Sequence, residues 1–289
     1  MNESLPLIEP GEPPAYDILN AAGDNRIVLT CEHAGDIVPR RLGLLGMAPE
    51  DYKRHYAVDI GVRDVTRYLS ALLNAPAILG NYSRLVVDLN RAVDHPTTFA
   101  PHGEGKPVPG NIDISGVDKA RRIREIYEPY HQALGGILDR AVAAGTVPVV
   151  VSVHSFTPKF FNFPRPWEIA FLHADDSRLS RALIAYFRRL GYRVGDNEPY
   201  DHRIVRGGAV NRHAGLRRLP HTMVEYRNDM ISNDKDALFW AKLLADGLQE
   251  ALEDPPMRTY YEGLQTPYDP EKERTYFADL VERARKGEP

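Results

Sequence analysis

The sequence predicts an α/β fold: a mixed, mostly parallel central sheet flanked by helices. Two apolar runs of strand length, Arg26–Cys31 (RIVLTC) and Val147–Val153 (VPVVVSV), have the composition of strands buried on both faces, as in the middle of a parallel sheet. They alternate along the chain with stretches of helical periodicity, the pattern that builds βαβ units. The chain is 289 residues long, enough to bury a core without disulfides or structural metals.

After the first strand, Val62–Leu73 (VRDVTRYLSALL) places Val65, Tyr68, Leu69 and Leu72 on one helical face. Pro76–Leu79 reads as a short strand, and Leu85–Leu89 (LVVDL) as another. Val117–Ala144 is a long helical stretch, interrupted near Pro129, whose ring cannot continue a helical hydrogen-bond ladder. The apolar strand 147–153 follows, then a strand at Glu168–Leu172 and an amphipathic helix at Ser177–Leu190. Thr222–Tyr226 (TMVEY) reads as a strand, Asp234–Leu252 as a helix, and Glu271–Lys286 as a charged helix. Two segments, His95–Asn111 and Gly195–Gly215, are rich in turn formers and read as long loops. One domain over 1–289 is expected, with a Pro-rich N-terminal arm (about 1–20) and a charged helical C-terminal extension (about 255–289).

Composition excludes several functions. There are 36 basic and 40 acidic residues, a net charge of −4, so the basic footprint of a nucleic-acid binder is absent. One cysteine excludes an intrachain disulfide and a cysteine-rich zinc site. Met1–Glu12 lacks the basic start and apolar run of a secretory signal, and the longest apolar run is strand-sized, so a soluble cytoplasmic protein without membrane contact is expected. Ten histidines leave room for a metal site built from His and carboxylate.

Candidate chemistry sits at the ends of the apolar strands, where open α/β sheets bind ligands. RIVLTC runs into Glu32-His33-Ala34-Gly35-Asp36, an imidazole with carboxylates on either side, and the Ala-Gly pair allows a tight turn. The same residues would also make a surface turn with Asp36 as a cap. VPVVVSV delivers His154, as a ligand or as a hydrogen-bonded core histidine. TMV delivers Glu225, which burial makes expensive unless it is paired or functional. Between them, Ser83–Arg91 (SRLVVDLNR) brackets an apolar run with Arg84 and Asn90-Arg91, and guanidinium groups bind carboxylates and stabilise oxyanions. Cys31 is taken as a small buried residue. Asp59, in Asp59-Ile60-Gly61 before a helix, is read as a helix cap, with a supporting partner for a ligating histidine as the alternative.

CEHAGDIVP (31–39), SRLVVDLNR (83–91), VVVSVHSF (149–156) and VEYRNDM (224–230), with GDNEPYD (195–201), resemble the N-formylglutamate amidohydrolase family, over roughly Asn25 to Leu252. VSVHSF and VEYRND are also similar to segments of zinc carboxypeptidases, and DLNR to one of aspartoacylase. The resemblance implies a zinc-carboxypeptidase-like fold and one Zn²⁺ ion, or another divalent metal, held by His33, His154 and a carboxylate. Asp36 is preferred as that carboxylate and Glu32 is the alternative, since carboxypeptidases place a Glu where this chain has Asp36. It further implies Glu225 as general base, Arg84 at the carbonyl or oxyanion, and Asn90 and Arg91 on a substrate carboxylate. The expected partner is a small acidic N-acyl amino acid, N-formyl-L-glutamate above all. His102, and the Arg203–Arg212 loop with Arg206 and Arg212, are expected to close over it. Other N-acyl amino acids or peptides, or an inactive binding protein of the same fold, are the alternatives.

Overall fold

The computed structural model describes residues 5–288. A seven-stranded sheet forms the centre. Its strands are β1 (Tyr16–Leu19), β2 (Ile27–Cys31), β3 (Ala77–Gly80), β6 (Val149–Phe156), β9 (Ile169–Leu172), β10 (Val194–Asp196) and β11 (His221–Arg227), in the spatial order β1-β3-β2-β6-β11-β9-β10. Between β3 and β6 lies a two-stranded hairpin, β4 (His102–Gly103) with β5 (Lys106–Pro107). A second hairpin, β7 (Lys159–Phe160) with β8 (Phe163–Pro164), follows β6. The pairs β2–β3, β2–β6, β6–β11 and β9–β10 are parallel, whereas β1–β3 and β9–β11 are antiparallel. Edge strand β1 comes from the segment expected to be a Pro-rich arm.

Strand alternation sorts the core into two layers. Leu29 and Cys31 of β2, Val149, Val151 and Val153 of β6, and Val224 and Tyr226 of β11 pack against α1 (Val62–Leu73), α4 (Arg178–Arg189) and α5 (Asp234–Leu252). Val28, Val150 and Met223, one residue out of phase, pack against α3 (Glu128–Ala143) on the other face. Ser152, His154 and Glu225 share that second phase. Cys31 therefore lies in the opposite layer from the site. Burial pushes its thiol far above the usual range, so it behaves as a small core residue.

The long helical stretch is broken where expected but by a different device. α2 (Gly116–Arg122) passes into α3 through a π-helical turn, Ile123–Tyr127, just before Pro129. Leu85–Leu89 is not a strand. It is a turn-rich segment, and its continuous apolar character reflects complete burial rather than sheet pairing. Val86 N closes a turn on Ser83 O, and Asp88 N ties the segment to the next loop through Thr98 O. The C-terminal helix, α6 (Pro270–Lys286), begins at the Asp269 cap, whose side chain accepts from the Glu271 and Lys272 amides. Among the described residues, no helix is long and apolar enough to cross a membrane.

Gly35 is required by close approach and not by a left-handed turn. A Cβ there would meet the carbonyl oxygen of Asn81 at 2.0 Å and its carbon at 2.2 Å. The loop leaving β2 must therefore lie flat against the loop leaving β3. Gly35→Ala is expected to lower stability by about 2 kcal/mol or more, because two backbones have to part. Urea denaturation measures this, and an unchanged midpoint would contradict the packing.

Candidate metal centre

Two parallel strands deliver the centre. The β6–β11 register sets His154 directly beside Glu225, with both on the α3 face. The β2–β6 register pairs Thr30 with Ser152, which brings Glu32, two residues on, level with His154. His33 follows as the chain leaves the sheet. Asp59 arrives from the turn before α1, where its amide donates to the His33 carbonyl at 3.1 Å. Gly61 then starts the helix at φ +83°, and a Cβ there would meet the Ile231 carbonyl at 2.2 Å. α1 has no side-chain cap, so Asp59 is not the helix cap expected of it.

The Asp59 Oδ2 atom stands 2.8 Å from His154 Nδ1 and 3.3 Å from His33 Nδ1. One ligand atom from each of these three buried residues lies within 4.8 Å of the other two. The two imidazole rings meet edge to face, 4.8 Å between centroids. Each outer ring nitrogen has its own carboxylate: His33 Nε2 lies 2.7 Å from Asp88 Oδ1, and His154 Nε2 lies 3.0 Å from Glu32 Oε2. With a carboxylate behind each ring to hold the Nε2 proton, both Nδ1 atoms would be free to bind a metal in place of their hydrogen bonds to Asp59, the arrangement typical of metal-ligating histidines. Two imidazole nitrogens and one carboxylate oxygen are a donor set that suits Zn²⁺ with an open fourth position.

The expected carboxylates take other places. Asp36 is exposed and lines a separate crevice with Pro13, Asp17, Arg63 and Asn81, because the chain turns outward after the Gly35 contact. Glu32 is buried behind His154 on the far side of the ring. It accepts hydrogen bonds from Ser152 Oγ at 2.9 Å and Tyr130 Oη at 3.1 Å, so it orients the histidine and does not join the convergent set. Asp59 and Asp88 complete the centre.

Charge on these groups follows from burial set against pairing. Burial raises Asp59, but the His33 charge and the hydrogen bonds from both histidines outweigh it and hold the carboxyl well below its usual range. Glu32 is brought down to about 2, because the His154 contact overrides its burial. Burial opposes the His154 charge, yet hydrogen bonds to Asp59 and Glu32 raise it to about 10. Glu225 differs. Burial dominates and, only partly offset by the His154 charge, pushes its carboxyl up to about 7. Its Oε2 is buried with no hydrogen-bond partner among the described residues.

Arg84 reaches the same centre, with Nη2 3.0 Å from Asp88 Oδ2 and Nη1 3.4 Å from Asp59 Oδ1. Asn90 accepts from the Ala209 amide at 2.8 Å, and Arg91 Nη1 lies 3.0 Å from Glu273 Oε1 of α6. Arg84, Asn90, Arg91 and Glu225 all line the cavity of about 140 Å³ that contains His33, Asp59 and His154. His102 is exposed and lies on an adjoining cavity shared with Arg84 and Arg91. Arg206 and Arg212 do not reach the centre. Arg206 pairs with Asp175, Arg212 donates to Tyr127 Oη, and both line a different cavity. His55, Arg165 and His202, to which the sequence assigns no role, and Tyr200 of the GDNEPYD motif line the central cavity or its neighbour.

A family model described as N-formylglutamate amidohydrolase matches residues 25–232. The chain belongs to the N-formylglutamate amidohydrolase family. Among solved structures it is similar to gene product Atu2144 from Agrobacterium tumefaciens, with 33% identity and a TM-score of 0.83, covering 86% of this chain and 98% of that one. It is also similar to N-formylglutamate amidohydrolase from Ralstonia eutropha JMP134, with 19% identity and a TM-score of 0.63, covering 83% and 98%. No curated protein matches it.

Two outcomes test the centre. Asp59→Ala is expected to abolish stoichiometric binding of Zn²⁺ while Asp36→Ala leaves it intact, as read by metal analysis after dialysis; the reverse pattern would overturn the ligand set. Metal affinity is also expected to rise with pH. The ion must displace the proton that His154 holds up to about 10, so Kd should fall by about tenfold per unit between pH 6 and 9. A competing chromophoric chelator measures the slope, and a flat profile would mean His154 is not a ligand.

Proposed function

We propose that this family member hydrolyses the amide bond of a small N-acyl amino acid, with N-formyl-L-glutamate as the reference substrate, at a divalent metal held by His33, Asp59 and His154. The observation that carries the reading is the convergence of those three ligand atoms beside a buried, unpartnered glutamate. A divalent ion, Zn²⁺ first among candidates, supplies Lewis acidity at such a centre, acidifying water and polarising a carbonyl. Glu225, poised near neutrality, takes the proton from the attacking water and passes it to the leaving amine as the C–N bond breaks. Arg84 stands beside Asp59 and donates to the negative oxygen that develops on the carbonyl carbon. Asn90 and Arg91 face the substrate's amino-acid portion. The cavity, about 140 Å³, lies below the roughly 300–1,000 Å³ typical of sites for drug-sized ligands, which favours a small substrate over a peptide.

A second reading keeps the centre and changes the amino acid. It is favoured by the contact between Arg91 and Glu273, since the arginine expected to grip an acidic substrate already has a carboxylate.

Glu225→Gln removes the proton acceptor and keeps the shape. It is expected to retain full metal content and lose roughly 10²–10⁴-fold in kcat with little change in KM. Formate release and metal analysis on the same preparation check both halves. Normal turnover would remove Glu225 from the role, and a wild-type chain inactive after zinc loading would favour a binding protein.

A further inference from the structure

The cavity over the centre is closed on one side by α6, which lies outside the family-matched residues 25–232. Phe277 and Leu280 of this helix line the cavity, and the Phe277 ring packs 5.0 Å from the Arg91 guanidinium carbon. One turn earlier, Glu273 is fully buried and its carboxylate meets Arg91 at 3.0 Å. His95 Nε2 lies 3.6 Å from the same oxygen. Both contacts fall on Oε1, while Oε2 is buried with no hydrogen-bond partner among the described residues, so removing Arg91 from this carboxylate would leave a buried charge unanswered.

Three guanidinium groups line the mouth of the site, and their partners differ. Arg84 is held by Asp59 and Asp88, and Arg91 by Glu273. Arg165, from the β7–β8 hairpin and its end, is 3% exposed and has no carboxylate within ion-pair distance among the described residues. It is enclosed by the Phe160 and Tyr200 rings, at 4.6 and 5.2 Å, and donates to Tyr200 Oη at 3.1 Å and Thr157 Oγ1 at 3.3 Å. It lines the adjoining cavity together with Arg84, Arg91, Phe160 and Tyr200. A buried cation whose side-chain hydrogen bonds go only to neutral hydroxyls can receive an anion.

We propose that Glu273 fills the carboxylate position at Arg91, and that the substrate brings a single carboxylate, received by Arg165. The substrate is then an N-acyl amino acid with an uncharged side chain, which lies against Phe277, Leu280, Val205 and Met223. This narrows the substrate class of the hydrolase reading and rests on it.

Binding separates the two. In the full-length, zinc-loaded chain carrying Glu225→Gln to block turnover, Kd is measured by calorimetry for N-formyl-L-leucine and N-formyl-L-glutamate. The leucine compound should bind roughly tenfold or more tighter, since the Glu273 charge repels the second carboxylate. Adding Glu273→Gln should tighten the glutamate compound by roughly ten- to a hundredfold and move the leucine compound by no more than about threefold. Adding Arg165→Gln should weaken both by a similar factor. Tighter binding of N-formylglutamate before Glu273 is changed, or a ligand ratio indifferent to Glu273→Gln, overturns the proposal and leaves the hydrolase reading standing. If neither compound binds, both fall. Should Glu273→Gln fail to fold, the ratio measured with Glu273 in place still decides.

Discussion

One oxygen of Asp59, shared between the Nδ1 atoms of His33 and His154, is the constraint around which this molecule is organised. Four carboxylates, Glu32, Asp59, Asp88 and Glu225, are buried within a few side chains of one another. No core tolerates that unless cations or ordered donors answer each charge. Two histidines and Arg84 answer three of the four. The fourth, Glu225, is left with burial as the dominant influence, which is why its carboxyl alone is pushed up, to about 7, while its neighbours are held down. One electrostatic cluster thus separates acids that stay charged from an acid that can exchange a proton near neutrality.

Such a cluster is a costly thing to fold, so the loops that carry it are fastened by their backbones. The Asp59 amide is bonded to the His33 carbonyl. Ser83 joins the segment before Arg84 to both Ile37 O and Ala57 O, and the Asp88 amide is bonded to Thr98 O. Every one of these contacts links two loops to each other, none to the interior of a helix or strand. The sheet supplies His154 and Glu225 by register. The remaining groups depend on a net of loop-to-loop hydrogen bonds that keeps them in place before any ligand arrives.

That division explains what could be read from the sequence. Strands such as Val149–Phe156 and His221–Arg227 and helices such as Val62–Leu73 announce themselves by local period, and so do the histidine and glutamate they carry. Asp36 is placed ahead of Asp59 by its match to the glutamate of the carboxypeptidase pattern, whereas a backbone bond from Asp59 to His33, 26 residues apart, leaves no local trace in a sequence. A signal for Asp59 and Asp88 did exist: each carboxylate interrupts a stretch of apolar residues, where an unpaired acid would be untenable. Leu85–Leu89 misled in the opposite sense. Its composition reports burial, and burial alone does not separate a strand from a packed turn.

The same reasoning bears on where family resemblance stops. The matched residues contain the entire candidate centre, yet the wall over it comes from a helix some forty residues beyond their end. Motifs that place Arg91 beside a substrate carboxylate describe which group is present, not whether its charge is free. In this chain a fully buried carboxylate from α6 pairs with that arginine, whose side chain stays partly exposed, and an aromatic ring lies beside it. What a site recognises is set by the charges left over once its own side chains have paired. Among the described arginines at this mouth, Arg165, just past a hairpin that no motif contains, is the one without a carboxylate at ion-pair distance.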